Sequence, residues 1–279
     1  MRSRRLGATL RRYREAARLD QAQAGEYIAG SKAKISRIES GESSARPGDV
    51  RLLLELYGVE DAAVRSGLEQ LARDSNKRGW WLDQPWSLTP EYADLIAMES
   101  DASYIRSWQP VMVPGLLQIP EYTRLLLDSG LVAYSDAEAD DILATRQARK
   151  RVIDVDGTQL AAIIWEPALT SPMPDVEAHR AQLRHLRDAA GRQNISLQVL
   201  PMDEWQAARA CQHFVMFSFG PEPAAEAVSL DTLSSSVILE GPEDLARYAR
   251  AFEALRSAAL TPTQTLSFLD HALKNIATG

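Results

Sequence analysis

The chain has a single cysteine, Cys211, in 279 residues. One thiol excludes an internal disulfide and fits a reducing compartment. Its expected role is packing. No apolar run approaches the roughly 18 residues of a membrane-spanning helix. The basic N-terminus MRSRRLGATLRRYREAARL lacks an apolar core followed by a small-residue cleavage site, so it does not read as a secretory signal. GxGxxG, P-loop, HExxH and GxSxG motifs are missing too, and with them the usual signatures of a nucleotide site, a catalytic zinc or an acyl-enzyme serine. Of the four histidines, His179 and His185 stand at i, i+6 on one predicted helix, on different faces, and are poor co-ligands for a metal. His213 beside Cys211 is the only Cys/His neighbourhood. Glu99 with Glu166 or Asp231 is a conceivable acid–base pair that spacing alone does not establish. The expectation is a cytoplasmic protein that is not an enzyme, with no cofactor, no metal and no membrane.

What is present is unevenly distributed. The net charge of −7 hides 16 Lys and Arg against 11 Asp and Glu in residues 1–78, a balance of +5, and 15 against 27 in residues 79–279, a balance of −12. That split predicts two modules with different partners, the first docking on a polyanion.

In the basic module the pattern predicts five helices. Helix 1 runs from about Leu6 to Arg18, with Leu6, Leu10, Tyr13 and Ala17 at helical spacing. Asp20 is placed to cap helix 2, about Gln21–Ala29, in which Gly25 permits close approach of the next helix. Gly30 is expected to turn the chain with positive φ. Ser31 then caps helix 3, which ends near Gly41, a left-handed stop. Ile35 and Ile38 point inward, leaving Lys32, Ala33, Ser36 and Arg37 outward and Lys34 at the edge. Helices at about Asp49–Tyr57 and Asp61–Asp74 close the module. A short cationic helix held by a preceding one has the geometry of a major-groove probe.

The pattern Gln21…Ser31-x-x-x-Ile35-Ser36-Arg37-Ile38-Glu39-x-Gly41 resembles the helix-turn-helix of the Cro/phage-repressor (XRE) class over residues 5–60. The resemblance implies a five-helix, lambda-repressor-like domain. It implies that Gln21 clamps a phosphate, that Lys32, Ala33, Ser36 and Arg37 face base edges with capping Ser31 and Lys34 beside them, and that Arg46 touches the backbone. It also implies that Arg14 and Glu39 form a structural ion pair.

Residues 77–90 read as a junction between module 1–76 and module 91–279. Trp80, Trp81 and Trp86 crowd it, more aromatic surface than a bare linker holds, which suggests a strap or a partner surface. Beyond it, a helix from Pro90 carries Tyr92, Leu95, Ile96, Met98, Ala102 and Ile105 on its apolar face, with Glu99 among them. A proline-punctuated stretch and a helix over 136–152 follow, whose arginine-rich end reads as a match to the helix dipole. Strands at 159–165, 195–201, 214–219, 227–230 and 237–239, a helix at 175–191 and two terminal helices predict a larger α/β or α+β domain with a mixed sheet.

The segment Gly79-Trp80-Trp81…Tyr92…Leu95…Glu99…Pro110…Val113-Pro114-Gly115-Leu116-Leu117-Gln118-x-Pro120-x-Tyr122 is similar to the C-terminal domain of uncharacterised function found in many actinobacterial XRE-type regulators. That resemblance implies an antitoxin-like or differentiation-linked system with a small co-encoded partner protein or a small-molecule effector. Trp80, Trp81, Trp86, Glu99 and Trp108 are the candidate partner residues. The expected function is a homodimeric, sequence-specific transcription regulator on double-stranded DNA. The alternative is a protein–protein adaptor that uses DNA binding only for autoregulation.

Overall fold

The computed structural model describes residues 2–75, 89–130, 133–171, 173–209, 211–220, 224–231 and 236–276. Trp80, Trp81 and Trp86 lie outside the described residues. The chain divides into two compact units, Met1–Leu82 and Asp83–Gly279.

Among its described residues the first unit has helices and no strand: α1 (Arg2–Ala16), α2 (Gln21–Tyr27), α3 (Lys32–Glu39), α4 (Pro47–Leu56) and α5 (Ala62–Ser75). Asp20 caps α2 by accepting from the Ala22 and Gln23 amides, and the Gln23 side chain returns to the Asp20 amide, closing a capping box. Leu6, Leu10, Ile35, Ile38, Leu53 and Leu54 are buried together in one core. Each such side chain contributes about 1.5–3 kcal/mol. Two glycines let the helices meet. A Cβ on Gly25 would sit 2.7 Å from the Ser31 carbonyl carbon, and one on Gly7 would sit 2.1 Å from the Ile38 oxygen. Gly41, with φ +74°, ends α3 as the sequence suggests. The turn after α2 corrects the expectation for Gly30: Ala29 takes the positive φ, +49°. The Gly30 amide bonds back to the Gly25 carbonyl at 2.8 Å, a Schellman closure that offsets the roughly 1–2 kcal/mol of an L residue in the left-handed region. Gly30 is needed for space, since a Cβ there would meet Lys34 Cδ at 2.9 Å.

The second unit is α+β. Its elements are α6 (Pro90–Asp101), β1 (Tyr104–Gln109), a 3-10 turn (Gly115–Leu117), α7 (Pro120–Asp128), α8 (Asp136–Arg149), α9 (Arg151–Asp154), β2 (Gln159–Trp165), α10 (Pro167–Thr170), α11 (Val176–Ala189), β3 (Ile195–Leu200), α12 (Trp205–Ala208), β4 (Phe214–Ser218), β5 (Ala227–Asp231), β6 (Ser236–Leu239), α13 (Pro242–Ala258) and α14 (Pro262–Ile276). The six strands among the described residues form one sheet in the order β3-β2-β1-β4-β5-β6. It is parallel from β3 to β1 and antiparallel from β1 to β6. The near-continuous apolar run of β2, QLAAIIW, is the signature of a strand buried on both faces.

Strand β1 corrects the sequence reading. The helix from Pro90 stops at Asp101, and Tyr104–Gln109 is a central strand, with β2 on one side and β4 on the other. Ile105 fits helical spacing from Met98 and Ala102, but two partner strands supply more backbone pairing than another helical turn would. Trp108 is likewise corrected from a candidate partner residue to a core residue. It is fully buried with Phe214, Met216 and Phe252 beneath α13. The outer edge of β3 is sealed by the α13–α14 connection, where the Leu260 amide bonds to the Val199 carbonyl at 2.8 Å. Among the described residues no helix is long and apolar enough to cross a membrane.

Candidate nucleic-acid interface

Helix α3 is built to present one face. Ser31 Oγ accepts from the Lys34 amide at 3.2 Å and starts the helix. Ile35 and Ile38 anchor its inner side at 1% and 2% exposure. Lys32, Ala33, Ser36 and Arg37 are left exposed on the outer side, and Arg46, just before α4, is exposed as well.

Behind the face lies a buried polar brace. Arg14 of α1 forks onto Glu39, with Nε to Oε1 at 2.6 Å and Nη2 to Oε2 at 2.9 Å, and its Nη1 donates to the Leu19 carbonyl at 2.7 Å. The hydrogen bond to Glu39 raises the Arg14 pKa above its ordinary value, outweighing burial. Such a fork fixes direction as well as distance, and it ties the last residue of α3 to α1.

Two candidate DNA contacts have protein partners of their own. Gln21 Nε2 donates to Glu39 Oε2 at 2.9 Å. Lys34 Nζ lies 2.7 Å from Asp49 in the first turn of α4. The exposed set is therefore Lys32, Ala33, Ser36, Arg37 and Arg46, with Ser31 at the cap. Asp49 was not singled out in the sequence, where it reads only as a favourable acid at a helix start.

In the second unit Glu99 is buried and paired, not poised as an acid or base. Arg149 Nε and Nη2 reach its two oxygens at 2.8 and 2.6 Å, and Nη1 donates to the Tyr92 hydroxyl at 2.6 Å. Burial opposes the Arg149 charge, but the Glu99 carboxylate and Tyr92 more than offset it and raise its pKa. In the sequence Arg149 belongs to the arginine-rich end of the 136–152 helix, which reads as a match to the helix dipole. Tyr92 and Glu99, two turns apart on α6, were the available signal that a cation sits opposite. Glu166 serves the backbone, accepting from the Met202 amide at 2.8 Å. His179 is buried against the Leu169 carbonyl at 2.8 Å. Among the described residues no three His, Cys, Asp or Glu side chains are grouped to hold a metal.

The proline-punctuated motif folds on itself. The Val113 amide donates to the Tyr122 hydroxyl at 3.2 Å, Gln118 donates to the Val113 carbonyl at 2.8 Å, and Thr123 donates to Gln118 Oε1 at 3.1 Å. Buried Gln182 clamps the same loop from α11 through the Ile119 amide and the Leu117 carbonyl. These residues shape the loop, and their hydrogen bonds are internal.

Residues 5–66 match a family described as a helix-turn-helix domain, in agreement with the five-helix unit and the exposed α3 face. Residues 92–271 match a family described as a domain of unknown function, DUF5753. No curated protein and no solved structure matches the chain. The second match covers well over half of the sequence, and the chain belongs to the DUF5753 family, carrying its domain behind an N-terminal helix-turn-helix.

Proposed function

We propose that the protein is a sequence-specific transcription regulator that reads double-stranded DNA through α3 and senses a small partner protein or a small-molecule effector through its second unit. The observation that carries this reading is the exposed set Lys32, Ser36 and Arg37 on a helix held from behind by Ile35, Ile38 and the Arg14–Glu39 fork. Arg37 is assigned the bidentate guanine contact and Lys32 and Arg46 the phosphates, because backbone contacts are the commoner role for an exposed lysine. A single helix-turn-helix covers one half-site, so the active species is a homodimer on paired half-sites. The acidic second unit repels the duplex and orients the first unit on it. The protein is placed in the cytoplasm, on the nucleoid.

The test is genome-wide DNA capture with the wild type beside Arg37→Ala. Recovery of one motif with fixed half-site spacing by the wild type, lost in the variant, supports the reading; recovery of no motif sinks it. The −12 balance of residues 79–279 favours a second reading, an antitoxin-like adaptor whose main target is a small co-encoded protein. Under it, joint alanine replacement of Lys32 and Arg37 abolishes DNA binding and leaves the biological phenotype intact.

A further inference from the structure

A groove of about 1030 Å³ opens on one face of the sheet in the second unit. Strand alternation builds its floor. Arg106 and Trp108 face α13, so Ile105, Ser107 and Gln109 of β1 face the groove, beside Val215 of β4. Tyr92 and Leu95 of α6, the 110–118 loop and α8 form the walls. The volume lies at the upper end of small-molecule sites, roughly 300–1,000 Å³, which are mostly apolar with a few placed polar groups.

The polar groups in this groove are not equivalent. Arg149 and Glu99 are spent on each other. Asp231 accepts from the Ser236 hydroxyl at 2.6 Å. Arg146 lines the groove one turn before Arg149, is half-buried, and has no carboxylate or other hydrogen-bond partner among the described residues. A guanidinium beside an apolar wall without a counter-ion is costly. On the rim, Val111 and Met112 are 74% and 41% exposed, apolar surface that an occupant would cover.

We infer that the groove is an effector site for a small amphipathic anion, an apolar body bearing one carboxylate or sulfonate, with Arg146 as its counter-ion. This rests on the reading of the second unit as the sensing module and names the chemistry it senses. The apolar body lies over Ile105, Val215 and Leu95, and the anionic head meets Arg146, which no acid among the described residues neutralises. Thr89 and Tyr92, at the start of α6, also line the groove.

The test uses full-length protein and no DNA, so its outcome is separate from that of the DNA capture. Two fluorescent probes of similar size are titrated: the anionic 8-anilinonaphthalene-1-sulfonate and the neutral N-phenyl-1-naphthylamine. Wild type is expected to bind the anion about tenfold more tightly, and decanoate is expected to displace it about tenfold better than 1-decanol, the scale of one charge-assisted pair. Arg146→Gln should lose that tenfold preference while keeping its affinity for the neutral probe and its melting temperature, and Arg146→Lys should restore most of it. Equal affinity for both probes in the wild type, an unchanged preference in Arg146→Gln, or binding of neither probe overturns the assignment. Saturation of the groove by a polypeptide that blocks both probes, with no response to decanoate, would transfer the site to a protein partner and also overturn it.

Discussion

The Arg14 guanidinium and the Glu39 carboxylate, 25 residues apart in sequence, form a two-bond fork inside the first unit at 2.6 and 2.9 Å. The fork joins α1 to the end of α3 and receives a third bond from Gln21. Both side chains are largely buried, at 9% and 4% exposure, so neither is an element of the exposed α3 face. Removing one partner strands the other charge away from water. Arg14→Ala and Glu39→Ala are each expected to destabilise the helix-turn-helix by about 3–5 kcal/mol, and Arg14→Met with Glu39→Leu by clearly less than their sum. Urea denaturation of the four proteins checks this; additive single costs would show that the fork is not a unit.

Glycine positions divide by what surrounds them. Gly7 has no room for a Cβ, since the backbone oxygen of Ile38 would lie 2.1 Å away, whereas Gly67 in α5 has open space. Gly7→Ala should cost about 3 kcal/mol or more by forcing α1 off α3. Gly67→Ala should stabilise by about 1 kcal/mol through helix propensity. Thermal melts of the two variants read both signs.

Tyr57 carries a pH signature. Burial, aided by the Glu39 charge, pushes its hydroxyl pKa up to about 12 from 10. A proton held more tightly in the folded state stabilises fully below the unfolded pKa and is lost as pH rises through the folded one. Tyr57 therefore withdraws stability across about pH 10–12. Its hydroxyl is buried without a hydrogen-bond partner among the described residues. Tyr57→Phe should match or exceed wild-type stability at pH 7, and its advantage should grow between pH 10 and 12 in urea midpoints. An advantage independent of pH would contradict this account.

Lys34 and Asp49 make a third kind of pair, 2.7 Å apart and partly open to solvent at 34% and 16% exposure. Here the acid masks a cation on α3, the helix proposed to read DNA. Asp49→Asn should free Lys34, tighten DNA binding at low salt, and steepen the dependence of log affinity on log salt by about one counterion. Titrations at four salt concentrations measure that slope; an unchanged slope would leave Lys34 out of the interface.

The first unit was legible because its signals are local. Asp20 and Ser31 cap helices, Gly41 stops one, and the spacing of Leu6, Leu10, Ile35 and Ile38 fixes the inner faces. Ala29 misled because its strained turn is held by a backbone bond across six residues. In the second unit most strands announced themselves by β-branched and aromatic runs. Strand β1 did not: YIRSWQ has a buried arginine at its centre and an isoleucine in helical register with α6. Its identity comes from β2 and β4, which lie 55 or more residues away along the chain. Trp108 and Glu99 were visible as unusual residues, but burial decided their roles. Arg149, the partner of Glu99, comes from another helix, a relation that periodicity does not carry. That Arg146 has no partner among the described residues is likewise a fact of three-dimensional packing.

The role of α3 is tested most directly by the affinity of Arg37→Ala for a captured operator and for a scrambled duplex of equal length, measured by fluorescence anisotropy at one salt concentration. The expected result is a loss of about 1–3 kcal/mol on the operator, a much smaller loss on the scrambled duplex, and an unchanged melting temperature. Equal affinity of wild type and Arg37→Ala for the operator, with both proteins folded, would mean that α3 does not read DNA.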